Sequence, residues 1–411
     1  MYDFTSRIDR SGVGSDKWDE MKKRNPAVGG DIVPLSVADM EFKMAPEIVG
    51  GLKECLDTLV LGYTGPTERY YEAVRLWMKN RHSWDIEDQW LVNSNGVVAA
   101  LYNCVKAFAA PGQGVIVMPP VYYPFFMAIE RNKRALVANR LLKRNGRYEI
   151  DFDDLEAKAS DPNNKLLLFC SPHNPVGRVW EREELKKLGD ICLRHDVKIV
   201  SDEVHFDLVM PGFSHTVLAS LGEEYARNTI TCTAPSKTFN LAGMRSSNII
   251  IPDGELRRKY LEEICRGMSR PALNILGYRA CEIAYTRCGA WLGELITVID
   301  NNRKTVEEFM ARRIPAIRVF PLEGTYLQWW DCRDLGMDYR ELEHFMVNKA
   351  RLFLDEGYVF GEEGRGYERI NLACPAPVLE AALERLERAL AAIPTPGGGG
   401  NSPASQKSTK N

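Results

Sequence analysis

Six short apolar runs, each closed by a polar turn, constrain this chain more than any other feature. They are Trp90 to Ser94 (WLVNS), Gly114 to Met118, the KLLLFC run from Lys165, Val197 to Ser201, Thr229 to Thr233, and Ser247 to Ile251. Runs this short and this continuously apolar read as strands buried on both faces of a sheet. Between them lie helical stretches, such as VVAALYNCVKAFAAPG after Gly96 and the Leu185, Leu188, Ile191 and Cys192 pattern. The fold class that satisfies this alternation is α/β, with an open and mainly parallel sheet. Such a sheet binds its ligands in the crevice outside the carboxyl ends of its strands. The residues immediately after each run are therefore the candidates for chemistry.

With 411 residues, 45% hydrophobic and 27% charged, the chain has material for a large core and two domains. From about Cys288 the pattern changes to a long helix through Trp291, Leu295, Val298 and Arg303 to Met310. A strand-like IRVFPLEGTYLQWWDC, further helices and ERINLAC at Glu368 to Cys374 follow. The expected division is a large domain over 46–287 and a smaller α+β domain from 1–45 with 288–396. The Gly/Ser/Pro/Lys-rich stretch 397–411 cannot build a core and is expected to be a disordered tail. A net charge of -3 gives no electrostatic reason for a nucleic acid or anionic membrane partner. No apolar run approaches the roughly 18 residues of a spanning helix, and MYDFTSRIDR lacks a signal-peptide apolar region. The ten cysteines are dispersed without a CxxC pair, as expected of reduced thiols in the cytoplasm.

The run Thr229 to Thr233 breaks at Pro235, delivers Ser236 and Lys237, and passes through Asn240 and Gly243 to Arg245. A single lysine is ordinarily a solvated surface charge, because an ammonium is costly to bury. An amine leaving a buried strand beside a hydroxyl, with a guanidinium eight positions on, is also a set that can hold a carbonyl cofactor covalently and its phosphate by the other groups. Three further segments suit that reading. Gly96 and Val97 open a helix after a strand, where free N–H groups and the helix dipole favour an anion. Asn174, in NPVG after the KLLLFC run, offers a neutral donor to a phenolate oxygen. Asp202, closing the Val197 to Ser201 run, is the carboxylate that would keep a pyridine nitrogen protonated.

Taken together, SKTFNLAGMR, NPVG, SDEVH and the GYT of Gly62 to Thr64 resemble the pyridoxal 5'-phosphate enzymes of the aspartate aminotransferase fold, and within them the MalY/PatB group of cystathionine beta-lyases. The resemblance runs from about Phe4 to about Ile393. It implies that Lys237 carries the cofactor, that Ser236 and Arg245 bind its phosphate, and that Tyr122 in the proline-stiffened VYYPF loop stacks on its ring. It implies that Tyr63, otherwise an ordinary packing tyrosine in a Gly/Pro turn, reaches the phosphate of a partner subunit in an obligate homodimer. Arg369 would grip the substrate carboxylate, and Asp39, in ADMEF, would lie on the substrate side. His205 would contact the cofactor and distinguishes the subgroup, since related aminotransferases usually carry tyrosine three residues after the aspartate. Three positions depart from the pattern: Ala234, where a hydroxyl phosphate ligand is common; Arg245, more usual in the aminotransferases; and Ala376-Pro377 in place of CPRS.

The function expected is β-elimination of cystathionine or another cysteine S-conjugate to a thiol, pyruvate and ammonia. An aminotransferase on the same scaffold is the alternative. A cofactor-binding regulatory protein is the third reading, although the first 45 residues contain no helix-turn-helix pattern.

Overall fold

In the computed structural model, which describes residues 1–267 and 272–393, the apolar runs do become strands. In chain order they are β1 (Leu91–Ser94), β2 (Gly114–Val117), β3 (Ala135–Ala138), a small hairpin of β4 (Leu142–Arg144) and β5 (Arg147–Glu149), then β6 (Asn164–Cys170), β7 (Lys198–Asp202), β8 (Thr229–Thr233) and β9 (Ser247–Ile250). Seven of them form one sheet in the order β1-β9-β8-β7-β6-β2-β3. Pairing is parallel from β3 through β8, and only β9 runs against its neighbours β8 and β1. The seventh strand, β3, is absent from the sequence reading. It is an edge strand whose Ala135 and Leu136 are exposed, so it needs no continuous apolar run.

Alternate side chains of the central strands feed two apolar layers. Leu166, Leu168, Val200, Ile230 and Ile249 pack with Ala100, Leu101 and Cys104 of the helix Val97–Phe108. Leu167, Phe169 and Ile199 pack with Leu185, Leu188 and Cys192 of the helix Arg182–Arg194 on the other face. Helices on both faces leave the strand ends as the open edge, and the polar residues after the parallel runs β6, β7 and β8 gather there, whereas β9 ends at the opposite edge.

A 25-residue helix, Gly289–Arg313, leads into a second, antiparallel sheet of β10 (Arg318–Val319), β11 (Leu327–Asp331), β12 (Asp355–Glu356) and β13 (Tyr367–Asn371), in the order β10-β11-β13-β12. The IRVFPLEGTYLQWWDC stretch thus holds two strands with a break between them. The segment Ile32 to Phe42 is apolar enough to suit a strand but forms none. Leu35 is bonded on both sides, its N–H donating to Phe353 (2.9 Å) and its carbonyl accepting from the Asn371 N–H (2.9 Å). Two residues later Val37 adopts φ +50°, outside the β region, and the ladder cannot continue.

The proposed tail lies outside the described residues. Among the described residues no helix is long and apolar enough to cross a membrane. All ten cysteines are free thiols, eight of them buried as small hydrophobes.

Candidate active site

β8 passes directly into a single helical turn, Pro235–Thr238, with proline pre-set at its first position. This turn aims Lys237 across the strand ends, where its Nζ donates to the Ala38 carbonyl at 2.7 Å. The same carbonyl accepts from the Tyr326 hydroxyl at 2.9 Å. Burial is the largest influence on the amine and brings its pKa down to about 8. Asp39 and Asp202 oppose that shift, while Arg369 and Lys17 add to it. The lysine is therefore much closer to its neutral, nucleophilic form at physiological pH than a surface lysine is.

Asp202 closes β7, level with Cys170 of β6 and Cys232 of β8. Its carboxyl is buried, and burial raises its pKa to about 7 despite the Val204 N–H at 3.2 Å and the charge of Lys237. A cationic ring nitrogen placed beside it would favour the carboxylate form. His205 lies three residues on, with its ring edge toward Tyr326 at 5.9 Å between centroids. Burial, with help from Lys237 and Arg369, pushes its pKa well down, so the ring is neutral, and its buried Nδ1 has no hydrogen-bond partner.

The turn after β6 brings in Asn174, whose Oδ1 accepts from Arg369 Nη1 at 2.8 Å. Arg369, on β13, is buried, pairs through Nη2 with Asp355, and lies 4.7 Å from the centre of the Phe360 ring. Its Nε has no partner.

Gly96, at φ +98°, precedes the helix Val97–Phe108. A Cβ there would meet no atom within 4 Å, and the helix that starts at Val97 leaves its first amides without intrahelical partners. Ser236 is partly exposed, and Arg245 is exposed with no hydrogen bond or ion pair to its guanidinium among the described residues. Tyr122 is partly buried beside Tyr123, with ring centroids 5.3 Å apart, and burial raises the pKa of its hydroxyl.

These groups fit pyridoxal 5'-phosphate on chemical grounds. An amine with a lowered pKa suits the aldehyde, a buried acid suits the ring nitrogen, and helix amides with a hydroxyl and an uncommitted guanidinium suit the phosphate. Ala234 contributes no hydroxyl, which leaves Ser236 and Arg245 as the side-chain donors this segment offers.

Two sequence candidates stand differently. Asp39 is beside Lys237 but already engaged, with Arg10 at 3.0 and 2.9 Å and Lys17 at 2.9 Å. Burial by itself would raise its pKa, yet these two cations bring it down to about 2. Tyr63 is fully exposed (104%) and is not brought to the crevice of its own chain. Sequence reasoning missed Arg10, Lys17 and Glu41, which form one network with Asp39: Lys17 Nζ reaches Glu41 at 2.8 Å, and so does Arg10. It also missed Asp355 and Tyr326. Nothing in the polar SDKWDEMK run, or in an aromatic within an apolar strand, separates such residues from solvated charge or ordinary core.

The family model for aminotransferase class I and II matches residues 31–386. Cystalysin from Treponema denticola, solved with a pyridoxal 5'-phosphate cofactor, is 54% identical, with a TM-score of 0.94 over 95% of this chain and 99% of that one. Cystathionine beta-lyase PatB of Bacillus subtilis (strain 168) is 42% identical over 387 residues, covering 94% of this chain and 99% of the relative. Protein MalY of Escherichia coli (strain K12) is 30% identical over 396 residues, covering 96% and 100%.

Proposed function

The chain belongs to the class I and II aminotransferase family, and from that premise we propose that it is a pyridoxal-phosphate-dependent carbon–sulfur β-lyase. Its substrates are cystathionine or related cysteine S-conjugates, and its products a thiol, pyruvate and ammonia. The observation that carries the reading is the convergence of Lys237, Asp202 and the Arg369–Asn174 pair on one crevice at the strand ends. Relatives named as cystathionine beta-lyases over nearly the whole chain favour elimination, as does His205 after Asp202.

When bound, pyridoxal phosphate supplies the electron sink that stabilises negative charge at the substrate Cα. Lys237 is the residue that would hold it, with Asp202 serving the ring nitrogen, Asn174 the phenolate oxygen and Tyr122 the ring. Ser236, Arg245 and the amides of Gly96 and Val97 would hold the phosphate. Arg369 fixes the substrate α-carboxylate through its guanidinium fork, already oriented by Asn174 and Asp355. Lys237, with a pKa near 8, takes the Cα proton as general base. His205, neutral and buried, shapes the wall beside it without adding charge. The sulfur then leaves Cβ as a thiolate, and the remaining three-carbon fragment hydrolyses to pyruvate and ammonia.

We read the enzyme as a homodimer in which Tyr63 reaches the phosphate of the partner subunit. What supports this is the full exposure of Tyr63 together with Leu56, Val60 and Leu61 in the same stretch. We take 46–287 as the cofactor-holding domain and 1–45 with 288–396 as the smaller one, a division supported by the bonds of Leu35 to Phe353 and Asn371. Ten free thiols support a reducing, cytoplasmic setting. The test is turnover of L-cystathionine with no keto acid present. Repeated release of pyruvate supports elimination, whereas a single conversion that stops until a keto acid is added identifies an aminotransferase.

A further inference from the structure

The loop that follows β7 faces two ways. Asp202 and His205 turn to the crevice, while Asp207 turns behind it, and its carboxylate is fully buried. Asp207 Oδ1 accepts from Trp77 Nε1 (3.1 Å), Arg81 Nε (3.0 Å) and His82 Nε2 (2.9 Å), all from the helix Glu68–His82. Its Oδ2 accepts from the Thr238 hydroxyl at 2.8 Å. Thr238 is buried and directly follows Lys237 in the helical turn, so its side chain points inward while that of Lys237 projects into the site. The His82 ring is stacked on Phe206, centroids 4.2 Å apart at 16°, which fixes one of the donors. The neighbouring Glu203 is likewise held, by Ser201 Oγ (2.8 Å) and His215 Nε2 (2.7 Å).

A buried carboxylate with four side-chain donors is an expensive way to stabilise a fold, since well-packed apolar groups do as well. What it adds here is a rigid, directional link. It joins the loop bearing Asp202 and His205 to the turn bearing Lys237. We propose that Asp207, acting through Thr238, is a positioning residue that holds Lys237 in register with Asp202. The inference rests on the lyase reading and deepens it: misaligning the amine by a fraction of an ångström slows proton transfer without weakening substrate binding.

The test uses the holoenzyme and an isosteric change. Thr238→Val removes only the hydroxyl, Thr238→Ser restores it, and Asp207→Asn weakens the acceptor. Thr238→Val is expected to lower kcat about tenfold or more with KM within about twofold. The visible-region circular dichroism of the bound cofactor, which reports its orientation, should fall with it. Thr238→Ser should recover both, and combining Thr238→Val with Asp207→Asn should cost no more than the worse single change. A folded Thr238→Val with wild-type kcat and an unchanged dichroic band overturns the proposal, whatever its melting temperature. Absence of pyruvate release from the wild type would instead sink the lyase reading, so the two failures are distinct.

Discussion

Asn174 and Arg369 are joined by a 2.8 Å hydrogen bond between residues 195 positions apart, linking the turn after β6 to strand β13. The large sheet thereby supplies a neutral amide and the small sheet a guanidinium to the same crevice. With Asp355 on its other nitrogen, Arg369 is oriented before any substrate arrives. Arg369→Lys keeps the charge but loses the fork. It should lower kcat/KM for L-cystathionine by about 10²-fold, mainly through KM, because carboxylate binding is shared by ground and transition states. Steady-state kinetics checks this, and an unchanged KM would count against Arg369 as the carboxylate anchor.

The low pKa of Lys237 gives a pH prediction. Only the neutral amine attacks an aldehyde, so the rate at which cofactor-stripped protein captures pyridoxal phosphate should rise with pH and level off above about 8. Asp39 raises this pKa by stabilising the ammonium. Asp39→Asn removes that anion and leaves Lys17 and Arg10 with Glu41 as their one carboxylate, so the whole profile should move to lower pH. A shift upward, or none, would show that Asp39 does not act on Lys237 as the geometry indicates.

Much of the candidate site was legible because its residues fall just after apolar strand ends. Gly96, Asn174, Asp202 and Lys237 each follow a run that could only be a buried strand, and the sheet rule places them together. The edge strand β3 was not legible, since its exposed Ala135 and Leu136 carry no burial pattern. Neither was the path of Ile32 to Phe42. Its composition suits a strand, but Val37 turns it, and that turn is set by tertiary bonds such as Asn371 Nδ2 to the Val37 carbonyl (2.7 Å). Lys17 looks like any helix-surface lysine until Asp39 and Glu41 close over it.

That buried network carries a stability prediction. Lys17 is nearly inaccessible, and Glu41, its partner, is equally buried. Lys17→Met leaves Glu41 and Asp39 with Arg10 alone. It should cost about 3 kcal/mol, the range for breaking one side of a buried ion pair. Urea unfolding of the cofactor-free protein measures it, and a loss below about 1 kcal/mol would mean that Arg10 compensates.

Gly96 is needed for two reasons: its φ of +98° disfavours a side chain, and its Cβ position opens onto the space assigned to the phosphate. Gly96→Val should raise the dissociation constant of pyridoxal phosphate by about tenfold or more, with backbone strain contributing about 1–3 kcal/mol. Equilibrium dialysis reads it. Wild-type cofactor affinity in a folded Gly96→Val protein would place the phosphate elsewhere.

The most direct measurement of the central claim is a side-by-side assay of pyruvate and free thiol from L-cystathionine, for the wild type and for Lys237→Ala, both loaded with cofactor and without any keto acid. A β-lyase working through Lys237 releases equal amounts of pyruvate and thiol over many turnovers in the wild type and essentially none from Lys237→Ala. Thiol and pyruvate absent from the wild type, or released at the wild-type rate by Lys237→Ala, would contradict it.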